Sequence, residues 1–250
     1  MQKTTIQALN LLKNIIKKQI KTNKTQAVFV SAGVDSSIIA KLVCKLNNKA
    51  KLITLITDKS KDLPFIKILA DHLDKKIEFI NVTNKDIAKE TPKLKKLLTE
   101  SKINPLAVHL PIAVGFYFLC YKAKQLKIDQ VFTGQGPDVL FAGYHRYQNL
   151  SLKLLNKQIK QDLNLLKIDQ TRDNLIAKLF EIKLINPYLD SEFVEFSFKL
   201  SPEYKINPNT GENKYLIRQI AKQLKLPKEI YQRKKMALQY STGLSKKTKL

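Results

Sequence analysis

Asp35 lies among serine hydroxyls directly after a run of small residues, a combination of side chains suited to a phosphate group and a cation. The apolar residues 28–30 predict a short buried strand, and apolar periodicity from residue 38 onward predicts a helix. Ser36 and Ser37 fall where this helix begins, so free backbone N–H groups, hydroxyls and the helix dipole together favour an anion. A carboxylate beside an anion needs a cation. The stretch therefore favours a phosphate group with Mg²⁺ over the alternative, an ordinary turn capped by serine.

A second stretch repeats this arrangement further along the chain. Val131 and Phe132 predict a buried strand, which is followed by a Gly-x-Gly turn at Gly134 and Gly136 and then by Asp138. The glycines permit a ligand to approach the backbone closely. One carboxylate rarely holds Mg²⁺ well, whereas two from neighbouring strand ends, together with pyrophosphate oxygens, do so. A tight turn with a surface aspartate would explain the second stretch alone, but two such turns in one chain favour the metal–phosphate site.

The predicted elements place both stretches at one edge of a sheet. Strands are predicted at Ala27–Ser31, Lys51–Thr57, Ile77–Val82 and Asp129–Thr133. Further helices are predicted at Thr4–Lys21, at Leu63–Leu73 with Asp62 as its cap, at Ile87–Leu98 with an interruption at Pro92, and at Pro111–Leu126. Short strands that alternate with helices predict a parallel sheet with right-handed crossovers, and such sheets bind ligands beyond the carboxyl ends of their strands.

The strand pattern stops after Tyr147, and the second half of the chain is predicted to be helical. Its helices are predicted at Leu150–Leu166, Thr171–Phe180, Glu192–Leu200 and Asn213–Leu224. A turn is expected at Pro208–Gly211 because Pro, Asn and Gly cluster there.

The formal net charge is +24, which is compatible with nucleic-acid binding. Lysine is spread along the whole chain together with isoleucine and asparagine, a pattern more typical of codon bias than of a binding patch, so nucleic acid is the less favoured partner.

Cys44 and Cys120 lie in apolar helical runs, and no Cys-x-x-Cys is present, which argues against a zinc knuckle or a redox pair. Without a signal-peptide core or a membrane-spanning apolar run, we expect a cytoplasmic protein with no membrane partner.

The two stretches together resemble a known family. Residues 31–37 are similar to the Ser-Gly-Gly-x-Asp-Ser loop of enzymes that split ATP into AMP and pyrophosphate, the PP-loop superfamily. Ala32 replaces the first glycine, and its methyl group would crowd the loop only slightly if φ is negative there. Residues 133–144 resemble the Ser-Gly-x-Gly-x-Asp-Glu-x-x-x-Gly-Tyr motif of the asparagine synthetase family, which includes β-lactam-forming synthetases. Further matches follow in the family's order at Ser60–Leu63, Asn186–Asp190, Asn213–Arg218 and Lys235 with Gly243.

The resemblance covers almost the whole chain and implies an α/β fold. A parallel sheet would be flanked by helices (HUP-like, adenine nucleotide α-hydrolase-like), with a helical C-terminal part. Residues 1–250 would form one ATP-pyrophosphatase domain of the asparagine synthetase type. Its expected parts are an N-terminal helix at 1–24, a nucleotide-binding α/β core at 25–147, a helical part at 148–244 and a basic tail at 245–250.

The resemblance also implies an activity that uses ATP and Mg²⁺. A carboxylate, most simply the side chain of aspartate, would be adenylated, and ammonia would displace AMP to give asparagine, AMP and pyrophosphate. The chain opens with Met1 and Gln2, without the cysteine nucleophile that begins the family's glutaminase domain. We therefore expect free ammonia, another amine or a separate glutaminase subunit as the nitrogen source, and a homodimer is compatible with this. The alternatives are a tRNA-modifying enzyme of the same superfamily, which the positive charge favours, and a homologue that binds nucleotide without catalysis.

The family's motifs imply roles for individual residues. Contacts to ATP or pyrophosphate are expected at Ser31, Ala32, Gly33, Asp35, Ser36, Ser37, Leu55, Thr133, Gly134 and Lys235. Asp35 and Asp138 would hold the metal. Catalytic roles would fall to Asp138, to Gln135 and to Lys235, which would stabilise charge on the α-phosphate. Lys214 and Arg218 would have phosphate-facing or structural roles.

Departures from the family pattern concern the side of the site that accepts the acyl group. Gln135 stands where a glutamate is usual, and an amide cannot accept a proton. Val139 replaces an acid, and Lys183 and Ile185 replace a glutamate and an arginine. His109, near the predicted sheet edge, is either structural or a replacement for the missing proton acceptor.

Overall fold

The structure, a computed structural model, describes residues 1–21, 24–105, 108–148, 150–234 and 236–248. The helices are α1 Gln2–Gln19, α2 Val34–Leu46, α3 Leu63–Leu73, α4 Asn84–Glu100, α5 His109–Gln125, α6 Pro137–Leu140, α7 Leu152–Lys178, α8 Ser191–Lys199, α9 Tyr215–Gln223, α10 Lys228–Tyr231, α11 Leu238–Ser241 and α12 Leu244–Lys247. The strands are β1 Ala27–Phe29, β2 Lys51–Ile56, β3 Ile77–Asn81, β4 Gln130–Phe132 and β5 Lys183–Ile185. Single 3₁₀ turns occur at His145–Tyr147, Pro187–Leu189 and Pro202–Tyr204.

Within the described ranges, five strands form one parallel sheet in the order β3-β2-β1-β4-β5. This confirms the predicted fold class. Ala27 lies opposite Val131 and Val28 opposite Phe132, so β1 and β4 end side by side. Because parallel strands present their carboxyl ends at one edge, the loops that follow β1 and β4 begin next to each other.

The central strands are buried on both faces. Val28 belongs to an apolar cluster that includes residues of α1, α2 and α9, whereas Ala27 and Phe29 belong to a second cluster with residues of α4 and α5. A parallel sheet covered by helices on both faces has near-continuous apolar strands, which is why the sequence pattern identified β1 and β4. The paired loops are thus attached to the most deeply buried part of the molecule.

The prediction that strands stop after Tyr147 is wrong. β5 pairs with β4 in parallel, and Thr133 N–H donates to Ile185 O at 2.9 Å. The two helices predicted between Leu150 and Phe180 are also one helix, α7. The gap between the two predictions, residues 167–170, is helical as well, with Lys167 and Ile168 exposed and Asp169 half-buried. No helix in the described part of the chain is long and apolar enough to cross a membrane.

Two local predictions also need correction. Pro92 does not interrupt α4, which begins earlier with a capping box between Thr83 and Asp86 and continues through the proline. The helix gains one hydrogen bond there, because Thr91 Oγ1 donates to Ile87 O at 2.6 Å. Asp62 stands at the N-cap position of α3 but makes no side-chain cap bond. The division of the chain at residues 24, 147 and 244 stays a prediction.

Candidate functional site

The first loop joins β1 to α2 and is closed on itself by serine hydroxyls. Ser31 N–H donates to Ser36 Oγ at 3.2 Å, and Ser36 Oγ donates to Gly33 O at 3.2 Å. Ser37 is fully buried, and its hydroxyl has no hydrogen-bond partner among the described residues. The structure therefore places the serines in the first turn of α2, with Ser36 holding the loop and Ser37 retaining unused hydrogen-bonding capacity.

Ala32 adopts a left-handed backbone conformation with φ +50°, so the negative φ that would limit crowding is not present. Its side chain is fully buried. A left-handed conformation costs an L-residue roughly 1–2 kcal/mol. The first loop thus keeps, at Ala32, a backbone shape that glycine would adopt without strain.

The second loop joins β4 to α6 and touches the first loop backbone to backbone. A Cβ atom on Gly134 would lie 2.6 Å from Ser36 N and 2.9 Å from the Asp35 carbonyl carbon. Gly136 has φ +126°, and a Cβ there would lie 3.0 Å from Tyr188 Cβ. Glycine at position 134 thus lets the two loops meet backbone to backbone, and glycine at position 136 leaves room for the Pro187–Leu189 turn.

Lys214 joins the two predicted metal ligands. Its Nζ lies 2.5 Å from Asp35 Oδ2 and 2.7 Å from Asp138 Oδ1, and its side chain is 3% exposed. Its backbone N–H donates to Phe141 O at 3.0 Å, which ties it to the segment after α6. A Cβ on Gly143 would lie 2.5 Å from Asp138 Oδ1 and would also overlap Lys214 Cε, so glycine leaves room for the lysine. The structure therefore brings Asp35 and Asp138 together, as expected, around an ammonium group that the sequence reasoning did not place there.

The two carboxylates suit a magnesium ion in charge and in position. They project from the ends of neighbouring strands onto a single cationic group, so a cation at this point meets both. Carboxylates are preferred ligands of Mg²⁺, which usually fills its other positions with water and phosphate oxygens. No group of three or more potential metal-binding side chains occurs in the part of the chain that the structure describes. An ion held by Asp35 and Asp138 would therefore depend on ligand oxygens as well.

Two arginines fix the segment before Lys235 against the first loop. Arg218 donates to the carbonyl oxygens of Tyr231 and Arg233. Arg233 donates to Ser31 O at 3.1 Å and pairs with Asp62, which explains why that carboxylate does not cap α3. Arg218 therefore has a structural role, and sequence reasoning missed Arg233 altogether. Lys235 itself lies outside the described residues, so its catalytic role stays a prediction.

Gln135 belongs to a second polar network, between the second loop and α7. Its Nε2 donates to Asp173 Oδ2 at 3.1 Å, and Arg172 lies 2.8 Å from Asp173 Oδ1. Arg172 also donates to Asp169 Oδ1 at 2.6 Å and lies 3.1 Å from His109 Nδ1. Burial raises the pKa of Asp173 to about 6, against the opposing charge of Arg172. Burial, followed by the charge of Arg172, lowers the pKa of His109.

The remaining predicted contacts lie at the same edge or close to it. Thr133 Oγ1 donates to Asn186 Oδ1 at 2.5 Å, which joins the ends of β4 and β5. Leu55 lies in β2 opposite Ile80 and is 3% exposed. Its expected contact with ATP stays a prediction.

Comparison with known proteins identifies the family to which these loops belong. A family model described as asparagine synthase matches residues 7–183 and 163–249. The chain belongs to the asparagine synthase family. This confirms the resemblance that was carried by the two loop motifs.

Relatives within the asparagine synthase family are distant in sequence. A Methanocaldococcus jannaschii protein assigned as asparagine synthetase 1 (glutamine-hydrolyzing) is 28% identical, over 93% of this chain and 48% of its own length. Human asparagine synthetase (glutamine-hydrolyzing) is 25% identical, over 94% of this chain and 42% of its own length. The chain thus spans about half the length of the curated relatives it matches. A solved NMN synthetase from Francisella tularensis aligns with 93% of this chain and 74% of its own, with a TM-score of 0.46 and 13% identity.

Packing explains two of the departures from the family motifs. Val139 is 1% exposed and lies in an apolar cluster with Tyr147 and residues of α7. Ile185 is 8% exposed and lies in the cluster beside β1. An ionised side chain at either position would be desolvated without a partner in that cluster, so the apolar residues suit the sites they occupy.

Proposed function

We propose that this member of the asparagine synthase family is an ATP-dependent amide-forming ligase. It adenylates a carboxylate, with the side chain of aspartate as the first candidate, and transfers the acyl group to ammonia or another amine. The observation that carries this proposal is the convergence of Asp35 and Asp138, from neighbouring strand ends, on one cationic group. Within the family to which the chain belongs, such a pair beside a serine-lined helix start suits a magnesium-bound triphosphate.

The proposed reaction has two balanced steps. In the first, a carboxylate oxygen bonds to the α-phosphorus of ATP, and the bond from that phosphorus to pyrophosphate breaks. In the second, the amine nitrogen bonds to the acyl carbon, AMP leaves with the electron pair of the broken C–O bond, and the nitrogen loses a proton. The products are an amide, AMP and pyrophosphate. The nitrogen would come from free ammonia or from a separate glutaminase subunit.

The residues of the two loops would bind and orient the leaving pyrophosphate. The free N–H groups at the start of α2 and the Ser37 hydroxyl would donate to its oxygens. Asp35 and Asp138 would hold Mg²⁺, which when bound neutralises charge on the phosphate oxygens. Lys214 would keep the two carboxylates at a fixed separation. Gly134 would let the α-phosphate approach the backbone where the two loops meet.

An assay of AMP and pyrophosphate release tests the proposal. The purified chain would be supplied with ATP, Mg²⁺ and a series of carboxylates that begins with aspartate, with and without ammonium. We expect pyrophosphate release to require one carboxylate and amide formation to require ammonium. Asp138→Asn should abolish both. Asp129→Asn is a matched control, because Asp129 lies at the opposite end of β4 and its side chain is 49% exposed. If no carboxylate stimulates pyrophosphate release, the ligase proposal is wrong.

A further inference from the structure

Asp173 is a buried carboxylate in the middle of α7 that no motif singles out. Its side chain is 4% exposed. One oxygen, Oδ1, accepts a hydrogen bond from Arg172 Nε at 2.8 Å and forms an ion pair with Arg172 Nη2 at 2.8 Å. The other oxygen, Oδ2, accepts from Gln135 Nε2 at 3.1 Å. Asp173 therefore connects a buried arginine to Gln135, which stands where a glutamate is usual in the family.

The charge of Asp173 dictates how the Gln135 amide must face. An ionised carboxylate only accepts hydrogen bonds, so the NH₂ group of Gln135 has to point at it. The amide oxygen, Oε1, then points away from Asp173. Gln135 is half-buried, and no side chain or backbone group among the described residues donates to Oε1. The residue that follows Gly134 thus carries an oriented amide acceptor.

The surroundings of this acceptor favour a ligand that brings N–H groups. The charged or titratable groups that face Asp173 are Arg172, Asp169 and the Cys120 thiol, with His109 beyond Arg172. Two carboxylates against one guanidinium leave a net charge of about −1 when Asp173 is ionised. Neither Gln135 Oε1 nor this charge attracts a carboxylate or a phosphate, whereas both suit ammonia or an amine.

We propose that Asp173, held by Arg172, is a positioning residue that fixes the amide of Gln135 so that Oε1 accepts an N–H of the attacking amine. This inference rests on the proposed ligase function. It assigns the amine to Gln135 Oε1, the end of the amide turned away from Asp173. It also predicts that the amide is oriented before the amine arrives, because Asp173 and Arg172 are buried.

Asp173→Asn tests the inference. The asparagine oxygen has to accept from Arg172, so its NH₂ faces Gln135 and turns the Gln135 amide until Oε1 points inward and the NH₂ group points outward. We expect the KM for ammonium to rise about tenfold, as for the loss of one hydrogen bond, with kcat little changed. Carboxylate-dependent exchange of pyrophosphate into ATP, which needs no amine, should stay within about twofold of wild type. Asp162→Asn is a matched control on the same helix, since Asp162 is buried and pairs with Arg146 at 2.9 Å. It should leave the ammonium KM unchanged.

Two further variants keep the test decisive if Asp173→Asn folds poorly. Gln135→Met removes the acceptor while leaving Arg172 and Asp173 paired, and it should raise the ammonium KM to a similar extent. The ammonium KM of Asp173→Asn is divided by that of the wild type at each pH. This ratio should fall below pH about 6, because there the wild-type carboxyl of Asp173 takes up a proton and can itself donate. An unchanged ammonium KM in both variants, with exchange intact, overturns this inference alone. Absence of any carboxylate-dependent exchange in the wild-type protein overturns the ligase proposal and this inference with it.

Discussion

Replacing Lys214 by methionine removes the positive charge between Asp35 and Asp138 while keeping the length of the side chain. The ammonium lies 2.5 and 2.7 Å from the two carboxylates, and the lysine side chain is 3% exposed. Removal of one partner from a buried ion pair costs about 3–5 kcal/mol. Asp35 and Asp138 are 13% and 18% exposed, so water reaches them in part and the lower end of that range applies. We expect the free energy of unfolding to fall by about 3 kcal/mol in buffer without divalent ions.

Thermal unfolding in EDTA measures this loss. For a chain of this length, about 3 kcal/mol corresponds to a Tm roughly 6–12 °C lower than that of the wild type. Adding MgCl₂ should raise the Tm of Lys214→Met more than that of the wild type. The variant keeps both carboxylates without the lysine charge, and a cation that binds only the folded state stabilises it. Lys199→Met is the control, because Lys199 and Glu195 form a pair whose side chains are 72% and 68% exposed. Such a pair contributes at most about 1 kcal/mol.

Two results would contradict the argument for Lys214. An unchanged Tm in EDTA would mean that the ammonium does not stabilise the converging carboxylates. A lowered Tm that Mg²⁺ does not recover better than in wild type would mean that Asp35 and Asp138 do not form a cation site.

Three further predictions concern positions away from the ammonium pair. Gly134→Ala places a Cβ 2.6 Å from Ser36 N and should therefore separate the two loops. We expect the free energy of unfolding, measured with denaturant, to fall by about 1–3 kcal/mol, and the release assay to detect no pyrophosphate. Lys205 is fully buried, and burial lowers its pKa from 10.5 to about 8. Between these pH values the unfolded chain binds more protons than the folded chain, so the free energy of unfolding should rise with pH there. Lys205→Met should accordingly be more stable than wild type by on the order of 3 kcal/mol below pH 8, and the difference should vanish above pH 10.5. Arg218→Lys cannot reach several carbonyls at once, so it should lower the rate of AMP formation while far-ultraviolet circular dichroism stays unchanged.

The strands that the sequence predicts and the strand that it misses differ in the contacts that stabilise them. β1 and β4 are apolar on both faces, so a run of a few apolar residues is enough to predict each of them. β5 has three residues, of which Lys183 is exposed, and its hydrogen bonds come from β4, so nothing local distinguishes it from a loop. The gap between the two predicted helices, residues 167–170, lies inside α7, where Lys167 and Ile168 are both exposed, so the apolar period is lost although the helix continues. Arg172, one turn further on, is 3% exposed on its side-chain atoms, and its carboxylate partners Asp169 and Asp173 lie on the same helix.

The candidate site shows the same limit and also a signal that could have overcome part of it. Sequence spacing placed Asp35 and Asp138 at adjacent strand ends, and the family motif singled out Lys214. Nothing local, however, shows that the Lys214 ammonium is buried between the two carboxylates. Arginine is different, because the chain holds only four among 45 basic residues, at Arg146, Arg172, Arg218 and Arg233. Each has a partner set that one ammonium cannot replace. Arg146 places two N–H donors on one oxygen of Asp162, and Arg172 pairs with two carboxylates. Arg218 donates to backbone carbonyls, and Arg233 forms an ion pair while lying over an aromatic ring. In a chain with so many lysines, an arginine therefore indicates a site that needs a planar guanidinium. Residue counts alone would have marked all four arginines in this way, Arg172 and Arg233 among them, but would not have named their partners.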